Sequence, residues 1–190
     1  MEIIAFTGKR GHGKSTAAEA LVREHGYIHL NFADPLRQVC NVVYDVDYEE
    51  MLDPVLKEQP LTRWPFKAPR ELLQQIGTDM FRNYIDDTWV MAWKVKVQKL
   101  LEGSAVDEYD QPIVCPGIVC SDCRFLNEAA VVESLGGRII KIEDPRKVRT
   151  DQASLHQSEM EIDLLPFERI IVNDDDIAWL ESAALSLVEG

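Results

Sequence analysis

Five short apolar runs punctuate the chain: Ile3 to Thr7, Tyr27 to Asn31, Gly117 to Ser121, Arg138 to Ile142 and Arg169 to Val172. Within each run the apolar positions are dense rather than alternating, as in parallel strands covered on both faces. Between the runs the spacing turns helical. Asp34-Pro35 sets an N-cap and a first-turn proline ahead of Leu36, Val39, Cys40 and Val43. Pro69 opens a segment that puts Leu72, Leu73, Ile76 and Met80 on one face. Asp87 or Thr88 caps a helix carrying Val90, Trp93, Val97 and Leu101. The pattern over Asn127 to Leu135 stops at Gly136-Gly137, a helix end followed by a turn. A last helix is expected over about Ile177 to Val188.

Two segments break the alternation. Asp45 to Ala68 holds Pro54, Pro60 and Pro65 and reads as a loop-rich insertion, and the acidic stretch Glu102 to Pro116 reads as an exposed loop. Alternating strands and helices predict an α/β fold with a parallel sheet and right-handed crossovers. In such folds ligands bind beyond the carboxyl ends of the strands. Chemistry is therefore expected just after each apolar run.

The first run leads straight into Gly8-Lys9-Arg10-Gly11-His12-Gly13-Lys14-Ser15, which satisfies G-x-x-x-x-G-K-[ST] in full. Glycines let backbone N–H groups close around phosphate oxygens. Lys14 supplies a cation at the β and γ phosphates, and Ser15 offers a hydroxyl to Mg²⁺. The helix that follows, with Thr16 in its first turn, points its positive end at the same phosphates. His12 is expected to contribute backbone rather than a catalytic imidazole. The third run ends in Ser121-Asp122, and an acid there is a candidate for the Mg²⁺ shell, with an ordinary helix N-cap as the alternative.

Composition narrows the partners. A net charge of −13 over 190 residues argues against binding a nucleic acid polymer, because phosphate neutralisation needs clustered Lys and Arg. No apolar run is long enough to span a bilayer and no export signal is evident, so a cytoplasmic location and reduced thiols are expected. Cys115, Cys120 and Cys123 lack a second ligand pair and read as small core residues rather than a zinc site.

A phosphate loop does not separate a kinase from a nucleotide-driven switch. A small-molecule kinase also needs cations over the transferring phosphoryl group. Arg146, Lys147 and Arg149, after the fourth run, are candidates for a lid, with a solvated charge run as the alternative.

Several further segments carry a resemblance. Phe32-Ala33-Asp34-Pro35-Leu36, the stretch from Leu73 to Arg82 (L-Q-x-x-G-T-D-x-x-R), Asp122 to Glu128 (D-x-R-F-x-N-E), His156-Gln157-Ser158-Glu159 and Ile171-Val172-Asn173 follow in order along the chain. Together they resemble the phage-type deoxynucleoside monophosphate kinases, a branch of the P-loop nucleoside monophosphate kinases. The resemblance implies a three-layer P-loop fold with a five-stranded parallel sheet, in a single kinase domain over 1–190. It implies an acceptor-binding insertion over about 45–101 and a lid over about 144–160. It also implies ATP as donor, Mg²⁺ as cofactor and a deoxynucleoside monophosphate as acceptor. Position by position, Gly8, Gly11, Gly13, Lys14, Ser15 and Thr16 would hold the donor phosphates, and Asn173 would sit near its base. Asp122 and Arg124 would line the transfer site, with Ser15 and Asp122 toward the metal. Asp34, Gln74, Thr78 and Arg82 would face the acceptor, and Arg146 and Arg149 would belong to the lid.

Some readings stay double. Arg124 can grip a phosphate or pair with Glu128 at i+4. Asp34 can contact the acceptor or serve only as N-cap. Trp89 and Trp93 fit the core better than base stacking, and His156 reads as a structural hydrogen-bonder. The acids Asp174, Asp175 and Asp176 stand where relatives often place a glycine, electrostatically awkward beside a triphosphate. Another acceptor, such as dephospho-coenzyme A, and a non-enzymatic switch remain the alternatives. Base choice is not legible, and homodimerisation stays open.

Overall fold

Glu2–Thr7 forms β1, and five of its six residues are buried because both faces of the strand are covered. It is the centre of a five-stranded parallel sheet ordered β2-β3-β1-β4-β5, with β2 at Ile28–His29, β3 at Gly117–Cys120, β4 at Arg138–Glu143 and β5 at Arg169–Val172. The computed structural model describes residues 1–147 and 161–189. Register is set by apolar pairs such as Ile3 opposite Ile118 and Ala5 opposite Ile139. The expected strands all form. The second is an edge strand and is shorter than Tyr27 to Asn31. Its pairing ends with the Leu30 N–H on the Val119 carbonyl at 2.9 Å. Asn31 then turns its side chain to the Ser121 N–H at 2.8 Å.

The chain divides into two compact units, residues 1–31 with 94–190, and residues 32–93. The first holds the sheet. Helix α1 (Lys14–His25) lays Ala17, Ala18 and Leu21 on it, and helix α7 (Ile177–Leu185) adds Leu180 and Ala184. These side chains meet Ile4, Phe6, Ile140, Ile142 and Ile171 in one cluster. Each fully buried aliphatic or aromatic residue there contributes about 1.5–3 kcal/mol. Helix α6 (Leu126–Ser134) starts where the Glu128 carboxylate accepts the N–H groups of Arg124 and Phe125, at 2.8 and 3.1 Å. It stops, as expected, at Gly136, whose φ is +76°.

The second unit packs helix α2 (Asp34–Tyr44) and helix α3 (Tyr48–Leu52) with helix α4 (Pro69–Gln74). Helix α5 (Thr88–Leu101) carries the boundary between the units. Asp34 is the first residue inside α2 and not its N-cap. Ala33 holds that position, and the Asp34 carboxylate instead accepts from Arg37 Nη1 at 2.6 Å. Helix α4 runs on as a π-helical stretch, Gln75–Arg82. Bonding from i to i+5 brings Phe81, not Met80, under Ile76. Phe81 joins the core with its ring 5.1 Å from Trp89, and Met80 is left exposed. A Cβ at Gly77 would meet Leu36 Cδ2 at 2.6 Å, so that side chain would have to shift. The Gly77 carbonyl also takes the Trp89 Nε1–H at 2.9 Å. Trp89 and Trp93 are buried as expected. On α5 the last core position is Leu100 rather than Leu101.

The Asp45 to Ala68 insertion is less loop-like than its prolines suggest. It contains α3 and a short 3₁₀ turn at Leu56–Glu58, and it buries Val46, Met51 and Leu61. Glu102 to Pro116 is mostly exposed, with one bridge between Val106 and Pro112. Cys120 and Cys123 are buried, whereas Cys115 precedes β3 and is half-buried. Among the described residues no helix is long and apolar enough to cross a membrane.

Candidate active site

The loop from Gly8 to Gly13 lies between the central strand β1 and α1, at the carboxyl edge of the sheet where an α/β fold binds its ligand. Its three glycines have φ of +134°, +82° and +102° at Gly8, Gly11 and Gly13, which side chains rarely adopt. Gly13 ends the arc as the N-cap of α1. The first turn of α1 carries no side-chain cap, and the positive end of the helix dipole faces the arc. The Lys14 ammonium reaches back across the arc to the carbonyls of Gly8 and Lys9, at 2.6 and 2.8 Å.

The arc is braced from the ends of β4 and β5. Lys147 Nζ donates to the Gly11 carbonyl at 2.5 Å, and Asn173 Nδ2 donates to the His12 carbonyl at 3.1 Å. The Asp144 N–H donates to His12 Nδ1 at 3.1 Å. Asp144, whose side chain is only 1% exposed, takes Arg146 through both carboxylate oxygens, Nε to Oδ1 at 2.9 Å and Nη2 to Oδ2 at 3.2 Å. Arg146 then continues to the carbonyls of Asn173 at 2.9 Å and Asp175 at 3.1 Å. Nε, Nη1 and Nη2 thus each have a partner, and the side chain lines a cleft.

That cleft, of about 640 Å³, is lined by Gly11, Gly13, Thr16, Arg146, Asn173 and Ile177 among others. A smaller cavity of about 280 Å³ adjoins it and shares Asp144 and Lys147. Two of the three consecutive acids, Asp175 and Asp176, line the larger cleft. The Asp176 carboxylate caps α7 through the Trp179 N–H at 2.8 Å, and Asp175 Oδ1 accepts the Asp176 N–H at 2.9 Å.

The Arg146 guanidinium beside Asp144 lowers that carboxyl from its ordinary 3.8 to about 2. A depressed folded-state pKa stabilises the fold above the unfolded value and loses that effect as pH falls through the folded value. Asp144→Asn is therefore expected to lower the melting temperature at neutral pH. The gap between wild type and variant should close between about pH 4 and pH 2. Parallel melting curves across that window check it; a gap independent of pH would remove the Arg146 pairing as its cause.

At the ends of β2 and β3, Asn31 Oδ1 accepts from both the Ser121 N–H and the Ser121 hydroxyl, at 2.8 and 3.2 Å. His29 Nε2 lies 2.9 Å from the same hydroxyl. This network fixes the turn that carries Asp122 and Arg124, both half-buried. Asp122 Oδ1 accepts from the Cys120 thiol at 3.2 Å. Burial, with the Asp122 charge adding to it, keeps the Cys120 thiol protonated well above its ordinary range. Glu128 binds the Arg124 backbone N–H at 2.8 Å, so it acts as a helix cap beside any side-chain pairing.

Of the predicted site residues, the structure gathers Gly8, Gly11, Gly13, Lys14, Ser15, Thr16, Asp122, Arg124, Arg146 and Asn173 in the unit that holds the sheet. Asp34, Gln74, Thr78 and Arg82 share the other unit, where Arg82 is buried with its Nη1 on the Asp86 carbonyl at 3.3 Å. Arg149 and the motif from His156 to Glu159, with most of the expected lid, lie outside the described residues. Sequence reasoning missed Asp144 and Lys147 as braces. Their position directly after β4 was the available signal.

Comparison with known proteins bears on the chemistry. A protein of Acanthamoeba polyphaga mimivirus, described as "Putative deoxynucleotide monophosphate kinase", is 32% identical over 199 aligned positions, covering 100% of this chain and 97% of its own. The chain belongs to the deoxynucleotide monophosphate kinase family. It is accordingly a kinase, a phosphotransferase that binds a nucleotide. Two solved structures share the fold. Dephospho-CoA kinase from Campylobacter jejuni aligns with a TM-score of 0.52 and 16% identity, over 100% of this chain and 96% of that one. TT1252 from Thermus thermophilus aligns with a TM-score of 0.52 and 18% identity, over 100% and 98%. No family model matches the chain. The three-layer fold with its five-stranded parallel sheet thus agrees with the P-loop kinase architecture expected from the sequence.

Proposed function

We propose that the protein transfers the γ-phosphoryl group of ATP to a deoxynucleoside monophosphate, giving ADP and the deoxynucleoside diphosphate. The observation that carries this reading is the glycine arc closing on the uncapped start of α1, with Lys14 across its mouth. The full-length likeness to the mimivirus kinase family supports the choice of acceptor.

In the proposed reaction an oxygen of the acceptor phosphate attacks the γ-phosphorus. The bond to the β–γ bridging oxygen breaks and ADP leaves. The attacking oxygen is already anionic at neutral pH, so the protein needs no strong general base. Its task is alignment and charge neutralisation. Gly8, Gly11, Gly13, Ser15 and Thr16 hold the β and γ oxygens by backbone and hydroxyl donors, and the Lys14 ammonium, held on the Gly8 and Lys9 carbonyls, sets its charge beside them. Ser15, in the first turn of α1, offers a hydroxyl, and Asp122, just after β3, offers a carboxylate. Such oxygen donors suit Mg²⁺, which needs only one or two protein ligands beside the phosphates. When bound there, Mg²⁺ would neutralise phosphate charge. Arg124 grips the transferring group through its planar fork.

Arg146 and Asn173 wall the donor cleft. With its N–H groups engaged, Arg146 offers a flat cationic face that suits stacking on the donor base. We assign residues 32–93 to acceptor binding through Asp34, Gln74, Thr78 and Arg82.

The reading is tested by ADP release with ATP and Mg²⁺ against a panel of deoxy- and ribonucleoside monophosphates, with dephospho-coenzyme A as a control acceptor. Stimulation by a deoxynucleotide with formation of its diphosphate supports it. Stimulation by dephospho-coenzyme A alone, or by no acceptor, defeats it. Arg124→Ala is expected to lower kcat by about 10²–10³-fold with a smaller change in KM. Arg124→Lys should recover only part of that loss, because a point charge cannot reproduce a two-pronged grip. Steady-state kinetics of the two variants check both expectations.

A further inference from the structure

The phosphate loop contains one ionisable ring that the proposed reaction does not use. His12 is only 7% exposed. Its Nδ1 lone pair accepts the Asp144 N–H at 3.1 Å, so the ring is neutral and carries its proton on Nε2. That Nε2–H is buried and finds no hydrogen-bond partner among the described residues. Burying an unused donor is unfavourable. A side chain needed only for filling space would do better as an aliphatic group. The placement makes sense through the other nitrogen. The Asp144 N–H emerges at the end of β4, from the residue whose carboxylate holds Arg146 and lies 3.8 Å from the Lys147 ammonium. The carbonyl of His12 itself is held by Asn173, one residue beyond β5. His12 is thus the point at which the arc is tied to two strands, by its ring to one and by its backbone to the other.

We infer that the His12 imidazole is a positioning residue of the phosphate loop: as an Nδ1 acceptor for the Asp144 N–H, it holds the Gly11–Gly13 backbone in the shape that receives the nucleotide phosphates. The inference rests on the loop being the nucleotide site and adds a residue that touches no substrate. Pre-shaping of this kind acts on nucleotide affinity, because a loop already closed pays no ordering entropy on binding. It leaves the acceptor side and the chemical step largely alone.

The test uses the full chain. His12→Ala removes the acceptor, whereas His12→Asn keeps one at a similar distance from the backbone. The dissociation constant of ATP measured by calorimetry is expected to rise about three- to tenfold in His12→Ala, the size of one lost hydrogen bond. In His12→Asn it should stay within about twofold of wild type. The acceptor KM should be unchanged in both, and kcat should fall by less than the affinity does. An alanine variant that melts earlier yet binds ATP as wild type does would reduce His12 to a structural residue and overturn the inference. So would an asparagine variant no better than alanine. Should the alanine variant fail to fold, the wild type still decides: its imidazole ¹⁵N shifts must report the Nε2–H tautomer, and an Nδ1–H tautomer overturns the assignment. Failure of the wild type to bind ATP at all would be a separate result, removing the nucleotide site and this inference with it.

Discussion

Lys14→Ala is expected to lower kcat/KM by about 10³-fold, the scale of losing one preorganised charge at a transferring phosphoryl group. The ammonium lies 2.6 Å from the Gly8 carbonyl and is almost fully buried, so it is fixed at the mouth of the arc before any ligand arrives. A charge already in place stabilises developing phosphate charge without reorganising, which is why the loss should appear in kcat as well as KM. The fold should survive. Alanine is among the best helix formers, and Lys9, one of the two residues whose carbonyls are freed, is exposed. Initial rates with ATP and the preferred acceptor, alongside a melting curve, decide the matter. A folded variant with activity within about tenfold of wild type would mean that phosphate is not bound where Lys14 sits.

The acceptor preference and the loop chemistry stand on different footings, and the same rates separate them. A chain that hydrolyses ATP slowly and ignores every monophosphate would keep the Lys14 dependence while losing the acceptor. That result would point to a switch on a kinase fold, since fold alone does not carry function.

What could be read in the sequence follows from where information is local. The strands, the phosphate loop and the start of α1 are written in contiguous residues, and they appear where the pattern puts them. Burial of Trp89 and Trp93 was legible for the same reason. Met80 was misplaced because helical periodicity assumes the α repeat, and nothing in Gln75 to Arg82 announces a switch to i→i+5 bonding. Asp34 reads as an N-cap by residue type, yet the turn starts one residue earlier and its carboxylate finds Arg37. The brace around the arc was invisible for another reason. It joins His12 to Asp144 and Asn173, more than a hundred residues away. The sequence shows each partner but not their meeting. The cap that Asp176 gives α7 is likewise seen only in the fold.

Gly8→Ala should be the most damaging of the three loop glycine substitutions. A Cβ at Gly8 would stand 2.2 Å from the Ile142 carbonyl oxygen, which belongs to the β4 backbone and has no rotamer by which to retreat. Gly8 also sits at φ +134°, so alanine there is strained twice over. At Gly13 the obstacle is the Leu180 Cδ2 methyl at 2.5 Å, with the Asn173 amide at 2.9 Å. Both belong to side chains that can swing, the second only by releasing the His12 carbonyl. At Gly11 the nearest atoms are the end of Lys147 at 3.7 Å, an ordinary contact, and only the positive φ resists. The expected order of stability loss is Gly8, then Gly13, then Gly11, with Gly8→Ala costing about 2–4 kcal/mol and Gly11→Ala about 1 kcal/mol. Denaturant midpoints at constant m-value give the ranking. A Gly11→Ala variant as unstable as Gly8→Ala would show that conformational strain, rather than the approach of β4, dominates the loop. The opposite spread would make the buried Ile142 the wall that fixes where the arc begins.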